Sequence, residues 1–300
     1  MINRVRYRYI SETVGKLLKD CNIDRLPVDL EKIQFIVNHI KKCKFIPFSL
    51  QMEKYHLTKE QVAVMAGSFD ASCNYSTDTG KYLIFYNDVD EHIINSNRHR
   101  WNMAHEIGHM ILDHNKLCHV VRLSRSTKPK AELEILELEA DHFATLLLAH
   151  PILLSALNIV TPEDIKKHCL LSHRAALSVF NYYTIWNGFS SHYHSDKKVL
   201  NQFKNFLNTK TCVYCGHTFA YPHINYCPKC CCDILSDGDF NDVQSPLVLN
   251  EYFQLHGCLE CGNTYIPYSD SYCSKCGEEI EFNEQPKSEP LWLKYKSGYY

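Results

Sequence analysis

No stretch of this sequence approaches the roughly 20 consecutive apolar residues that a membrane-crossing helix needs; the densest run, Leu146-Leu147-Leu148-Ala149, ends after four. A spanning segment is therefore not expected. The amino end, Met1-Ile2-Asn3-Arg4-Val5-Arg6-Tyr7-Arg8, is basic but lacks the apolar core and small-residue cleavage site of an export signal. An excess of charge of either sign is lacking as well. The formal net charge of -2 gives no global attraction to nucleic acid or to an anionic membrane, so any such binding would need a local patch. These absences point to a soluble chain that is not exported.

What is present is an ordinary core and an unusual number of thiols. With 45% hydrophobic and 22% charged residues, the first two-thirds of the 300 residues can bury a core of the usual kind. Of the 15 cysteines, eight fall into four Cys-x-x-Cys pairs. In a reducing compartment such pairs are metal sites, which makes the cytoplasm the consistent location. Cys21, Cys43, Cys73, Cys118 and Cys169 are scattered as buried free thiols usually are.

Periodicity divides the chain further. Val14, Leu17 and Leu18, then Leu30, Ile33, Ile36, Val37 and Ile40 recur at helical spacing, which predicts two helices between about residues 11 and 45. Val62 to Phe69 and Lys81 to Asn87 read as strands of a small antiparallel sheet. Two helices are expected over about 98–114 and 131–149, the second with Leu133, Leu136, Ala140, Phe143, Ala144 and Leu147 on one face. Thr161-Pro162-Glu163-Asp164 is a helix start with a capping hydroxyl, proline at the first position and acids in the first turn. With Ser172 opening another helix, this gives a helical pair over 162–184. Its Lys166, Lys167, His168, His173 and Arg174 form only a modest basic patch, so packing is favoured over DNA reading.

The chemistry centres on His105-Glu106-Ile107-Gly108-His109. Residues four apart share one helix face, so His105 and His109 can aim two imidazole nitrogens at one zinc ion. Glu106, one step round, can take a proton from an activated water and pass it to a leaving amine, which is amide hydrolysis. Gly108 allows a close helix approach, and Ile107, Met110, Ile111 and Leu112 mark the helix as buried. A third ligand leaves one position open, and Glu137-Leu138-Glu139-Ala140-Asp141 supplies candidates. Glu137 and Asp141 share a face, so Glu137 can bind zinc while Asp141 orients a ligand histidine. Glu139 is the alternative ligand. Tyr86, His150 and His173 are candidates to stabilise the developing oxyanion.

Near the carboxyl end an internal repeat appears. Cys212-x2-Cys215-x11-Cys227-x2-Cys230 returns as Cys258-x2-Cys261-x11-Cys273-x2-Cys276, displaced by 46 positions. Two such knuckles joined by a hairpin form a closed four-thiolate zinc site, and modules this small do not fold without the metal. Gly216, Gly262 and Gly277 follow knuckle cysteines, and Phe219, Tyr221, Tyr265 and Tyr268 can fill the minimal cores. Cys231 and Cys232 are alternatives to Cys230 as ligand. A redox dithiol explains the duplicated set less well.

The string Arg100-Trp101-Asn102-Met103-Ala104-His105-Glu106-Ile107-Gly108-His109-Met110-Ile111-Leu112-Asp113-His114, followed by Glu137-x-Glu139-Ala140-Asp141-x-Phe143-Ala144-x-Leu146-Leu147-Leu148, resembles the ImmA/IrrE metallopeptidases over roughly residues 10–185. The resemblance implies a gluzincin-like site, with His105, His109 and Glu137 as zinc ligands and Glu106 as general base. It also implies a helix-turn-helix transcriptional repressor as the protein substrate. The departure is His150-Pro151, where relatives carry an apolar residue before the proline.

The expected fold class is α+β: a mainly helical metallopeptidase domain with a small antiparallel sheet, then two zinc ribbons. The boundaries read as 1–188 for the first domain, with 162–184 as its helix-turn-helix-like subregion, and 189–211 for a linker or helix. Ribbon 1 follows at 212–235, a linker at 236–257, ribbon 2 at 258–282 and a tail at 283–300. One catalytic and two structural zinc ions are expected. The expected partner is a protein substrate recruited by the ribbons; direct nucleic-acid binding lacks support, and no membrane is involved. The alternative is a non-hydrolytic zinc-binding regulator that binds a repressor or DNA.

Overall fold

The computed structural model describes residues 4–118, 121, 129–157, 159, 161–187, 194–220, 224–238, 255–256, 258, 260–261, 266–267 and 270–280. Tyr221, Gly262, Tyr265, Tyr268 and the tail at 283–300 lie outside them, as does most of the linker at 236–257. In chain order the elements are α1 (Tyr7–Asp20), α2 (Leu30–Ile40), β1 (Cys43–Pro47), α3 (Phe48–Tyr55), α4 (Lys59–Ala66), β2 (Ala71–Ser76) and β3 (Lys81–Tyr86). Next come α5 (Glu91–Asn95), α6 (Arg98–Ile111), α7 (His114–Cys118), α8 (Lys130–Leu148), α9 (Pro151–Ala156), α10 (Pro162–Cys169), α11 (His173–Asn187) and α12 (His194–Gln202). The short strands β4 (Lys210–Cys212), β5 (Thr218–Phe219), β6 (Leu235–Asp237), β7 (Leu255–His256) and β8 (Ile266–Pro267) belong to the cysteine-rich region. The fold class is α+β, mainly helical, with four-cysteine modules at its end. Among the described residues no helix is long and apolar enough to cross a membrane.

The chain divides into two compact units, one of residues 1–149 with 166–176, the other of 150–165 with 177–300. In the first, α1 buries Ile10, Val14, Leu17 and Leu18, a stripe at helical spacing that packs on α8. α2 is capped by Asp29, whose carboxylate accepts from the Lys32 amide, and buries Leu30, Ile33 and Val37. It ends earlier than its sequence suggests. Lys42 takes a left-handed φ of 49°, and Cys43 to Pro47 continue as a strand.

A second difference concerns Val62 to Phe69, whose β-branched texture predicts a strand. Lys59–Ala66 is instead a helix, because Thr58 and Gln61 form a reciprocal capping box and Gly67, at φ 88°, closes the other end. The strand begins later, at Ala71. The sheet runs in the order β1-β3-β2. Its β2–β3 pair is antiparallel, with Cys73 opposite Ile84, while β1 joins β3 in parallel, so the sheet is mixed. The parallel partner comes from the segment that reads as the end of a helix. That leaves β1 and β2 as the two edge strands, and α6 packs against β2.

In the second unit, Thr161 and Asp164 cap α10 reciprocally: the Asp164 amide donates to the Thr161 hydroxyl oxygen, and Asp164 Oδ2 accepts from the Thr161 amide. β4 pairs antiparallel with both β5 and β6 to form the first ribbon, around Cys212, Phe219 and Cys227. β7 and β8 form the second, with Cys258 and Cys273 at its centre and Ile280 packed against them.

The two ribbons are joined by matched backbone bonds. The amides of Asn225 and Tyr226 both donate to the Ser274 carbonyl, and those of Ser271 and Tyr272 both donate to the Pro228 carbonyl. Each member of one set lies 46 positions from its counterpart in the other, so the repeats meet with approximate two-fold symmetry.

Candidate functional site

Two helices separated in sequence by residues 112–129 build the site. α6 carries His105 and His109 one turn apart, and α8 packed on it carries Glu137 and Asp141. Gly108 makes that packing close. A Cβ there would lie 3.0 Å from Cδ1 and 3.2 Å from Cβ of Phe143 on α8, inside the ordinary carbon contact distance.

The donor atoms of His105, His109 and Glu137 all lie within 4.8 Å of one another. His105 Nε2 is 2.9 Å from His109 Nε2. Glu137 Oε2 stands 3.2 Å from the first nitrogen and 3.5 Å from the second. Donors arranged tetrahedrally at zinc–ligand distance from one ion are separated by about 3.3 Å. Two imidazole nitrogens and a carboxylate at these spacings therefore fit a zinc ion by number, chemistry and distance.

The surrounding cleft is lined by His105, Glu106, His109 and Glu137 on one side and by small residues from Ala66 to Ser68 and Ala71 to Asn74 on the other. Tyr86, His150 and His173 are not among its described lining residues. Burial pushes the Glu106 carboxyl up to about 7, with His105 lowering it and Glu137 raising it. A carboxyl in that range can accept and return a proton near neutrality. Burial and the two histidines act in opposite directions on Glu137. The hydrogen bonds win, and its carboxyl is held well below the usual carboxylate range.

Each histidine has a partner for its other ring nitrogen. His105 Nδ1 is 2.9 Å from Asp141 Oδ1. Burial disfavours the charged ring, but Asp141 and then Glu137 outweigh it and bring His105 up to about 10. His109 is buried without a carboxylate at Nδ1 and is pushed down to about 4. Its Nδ1 instead lies 2.9 Å from Nδ1 of His114, a fully buried residue whose Nε2 lies 3.1 Å from Glu139 Oε2.

Glu139 is no part of the donor cluster. Its carboxylate is fully buried and accepts from the Arg6 amide at 2.9 Å, from Nε at 2.9 Å and from Nη2 at 2.6 Å. Sequence reasoning missed both His114 and this role of Glu139. The one available signal was spacing: two positions separate Glu139 from Glu137 on a helix, which turns their side chains to different faces.

In the cysteine-rich region two sets converge: Cys212, Cys215, Cys227 and Cys230, and Cys258, Cys261, Cys273 and Cys276. Sγ separations are 3.6 Å for Cys212–Cys230 and for Cys215–Cys227, and 3.5 and 3.7 Å for the equivalent pairs of the second set. Four thiolates at zinc–sulfur distance from one ion stand about 3.8 Å apart, whereas a disulfide would bring them to about 2.0 Å. Cys231 occupies the left-handed position that Gly216 and Gly277 occupy in other knuckles, and its Sγ turns to the Gly277 carbonyl, 3.0 Å away. Cys232 Sγ accepts from the Ile234 amide. Neither enters the cluster.

No curated protein matches the chain. Residues 50–174 match the family model Peptidase_M78, described as the IrrE N-terminal-like domain. The matched span holds β2, α6 and α8, and with them every residue of the cleft described above. The chain thus carries an IrrE N-terminal-like domain of a peptidase family at residues 50–174, followed by two four-cysteine clusters that fit zinc ribbons.

Proposed function

We propose that this protein is a zinc-dependent endopeptidase that hydrolyses a peptide bond in a protein partner. The observation that carries the reading is the convergence of His105, His109 and Glu137 beside Glu106 in one cleft of a peptidase-family domain. His105, His109 and Glu137 would hold the catalytic ion. Zinc in such a site supplies Lewis acidity, polarising a carbonyl and making water nucleophilic at neutral pH. Glu106 would take a proton from an attacking water and return it to the leaving amine, a task suited to a carboxyl raised to about 7. Asp141 fixes the His105 ring through Nδ1.

The thiolate sets are assigned two structural ions, one in each ribbon, and the ribbons a recruiting role. A helix-turn-helix repressor as substrate rests on resemblance alone. Paired Cys-x-x-Cys sets that serve as metal sites favour a reducing compartment, for which we take the cytoplasm.

Glu106→Gln removes only proton transfer. The variant is expected to retain the fold and the zinc content while losing cleavage of a co-expressed repressor by a factor of about 100 or more, read on a gel of the substrate. Undiminished cleavage would overturn the mechanism. Wild-type protein that holds zinc and binds the repressor but never cuts it would identify a non-hydrolytic regulator instead.

A further inference from the structure

The buried chain His109–His114–Glu139–Arg6 determines where its protons sit. The Glu139 carboxylate is already bound by the Arg6 guanidinium and amide, and an ionised carboxylate only accepts, so His114 Nε2 must be the donor across 3.1 Å. A neutral ring that donates from Nε2 accepts at Nδ1. His109 Nδ1, 2.9 Å from that atom, must then carry a hydrogen. It follows that His109 Nε2 presents its lone pair, and it presents it toward His105 and Glu137.

The backbone turn that returns His114 to His109 is secured separately. α6 ends at Ile111, and Asp113 takes a left-handed φ of 55° before α7 begins. That conformation is uncommon for a residue with a Cβ, and here three groups hold the Asp113 side chain. The Tyr82 hydroxyl donates to it at 2.7 Å, and Lys41 and Lys116 pair with it at 3.1 and 3.0 Å. His114 is fully buried and cannot exchange its partner for solvent.

We propose that His114 is a positioning residue: locked by Glu139 and Arg6, it fixes the tautomer and ring angle of His109 so that Nε2 is held ready for a metal ion. The inference rests on the zinc-site reading above. It assigns the Arg6 end of the chain, outside the matched domain, a part in the affinity of that site. It also gives a role to the fully buried Glu139 carboxylate, whose removal from water would otherwise serve nothing visible.

The test uses the full chain and reads the affinity for the third zinc ion, by competition with a chromophoric chelator and counting of bound ions in native mass spectra. His114→Leu removes the acceptor and is expected to weaken that ion 10- to 100-fold, the usual effect of losing such a partner, while both thiolate-bound ions stay. His114→Asn, which can place an amide oxygen where Nδ1 stood, is expected to restore most of the loss. If the leucine variant does not fold, Arg6→Gln serves, since Arg6 is partly exposed and its loss leaves the core filled; a drop of several-fold is expected. Unchanged affinity in the leucine variant, or in Arg6→Gln where the leucine variant does not fold, overturns the proposal, as does equal weakening by leucine and asparagine. A wild-type protein that takes up only the two thiolate-bound ions overturns the zinc-site reading, and this inference with it.

Discussion

Glu139 shows how strongly one buried contact can set a residue's behaviour. Burial alone would raise its carboxyl; the bonds from Arg6 and His114 outweigh that and hold it down at about 2. The unfolded chain returns it to roughly 4.3. A depressed folded value stabilises above the unfolded one and is lost as pH falls through the folded one. The contribution of about 3 kcal/mol is therefore complete above about pH 4.3 and gone below about pH 2. Urea midpoints measured at steps between pH 5 and pH 2 should fall more steeply for wild type than for Glu139→Gln; parallel slopes would contradict the assignment. At this scale the donor cluster was legible, because positions four apart on a helix share a face and His105, His109, Glu137 and Asp141 obey that spacing. The partners of Glu139 were not, since Arg6 is 133 positions away and no periodicity connects them.

Between elements, the closeness of α6 and α8 depends on a missing methyl group. Gly108→Ala places a carbon 3.0 Å from the Phe143 ring and 3.2 Å from its Cβ, and Phe143 is fully buried with nowhere to swing. The expected cost is about 1–3 kcal/mol of overpacking, measured by chemical denaturation, and the displaced ring would widen the spacing across which Glu137 reaches the histidines. A stability equal to wild type would show that the helices have slack. The elements themselves were partly legible. α6, α8 and α10 follow from apolar spacing and a capping sequence. β1 and α4 did not follow. Five residues of strand are too few for a period of two to stand out beside a helical stripe, and the Thr58–Gln61 cap decides α4 against a β-branched composition.

For the whole molecule, metal removal should separate the two units by behaviour. The first is organised around buried aliphatic side chains such as Ile10, Ile33, Ile84 and Met103, and it should keep its far-ultraviolet dichroism and cooperative melting after treatment with a strong chelator. The ribbons have little besides cysteine in their cores and should lose protection of the Cys212, Cys227 and Cys273 amides against hydrogen exchange. Native mass spectra of the untreated protein should show three zinc ions. Amides that stay protected without metal would mean that the knuckles fold unaided. Spacing alone revealed the repeat, because ligand geometry tolerates almost no variation within a knuckle. That the copies dock on each other could not be read, since the cross-ribbon bonds end on backbone carbonyls, which no residue type announces.

The docking has a thermodynamic corollary. The bonds that join the ribbons leave from Asn225, Tyr226 and Pro228 around Cys227, and from Ser271, Tyr272 and Ser274 around Cys273. If each knuckle is ordered by its own ion, as proposed above, each ion completes half of the surface on which the other knuckle rests. Occupancy of one ribbon becomes an effector of the other, and linkage makes the exchange symmetrical: the factor by which the first ion tightens the second is the factor it receives in return. On the two-ion reading proposed above, a pair of ribbons joined in this way would fill and empty as one cooperative element.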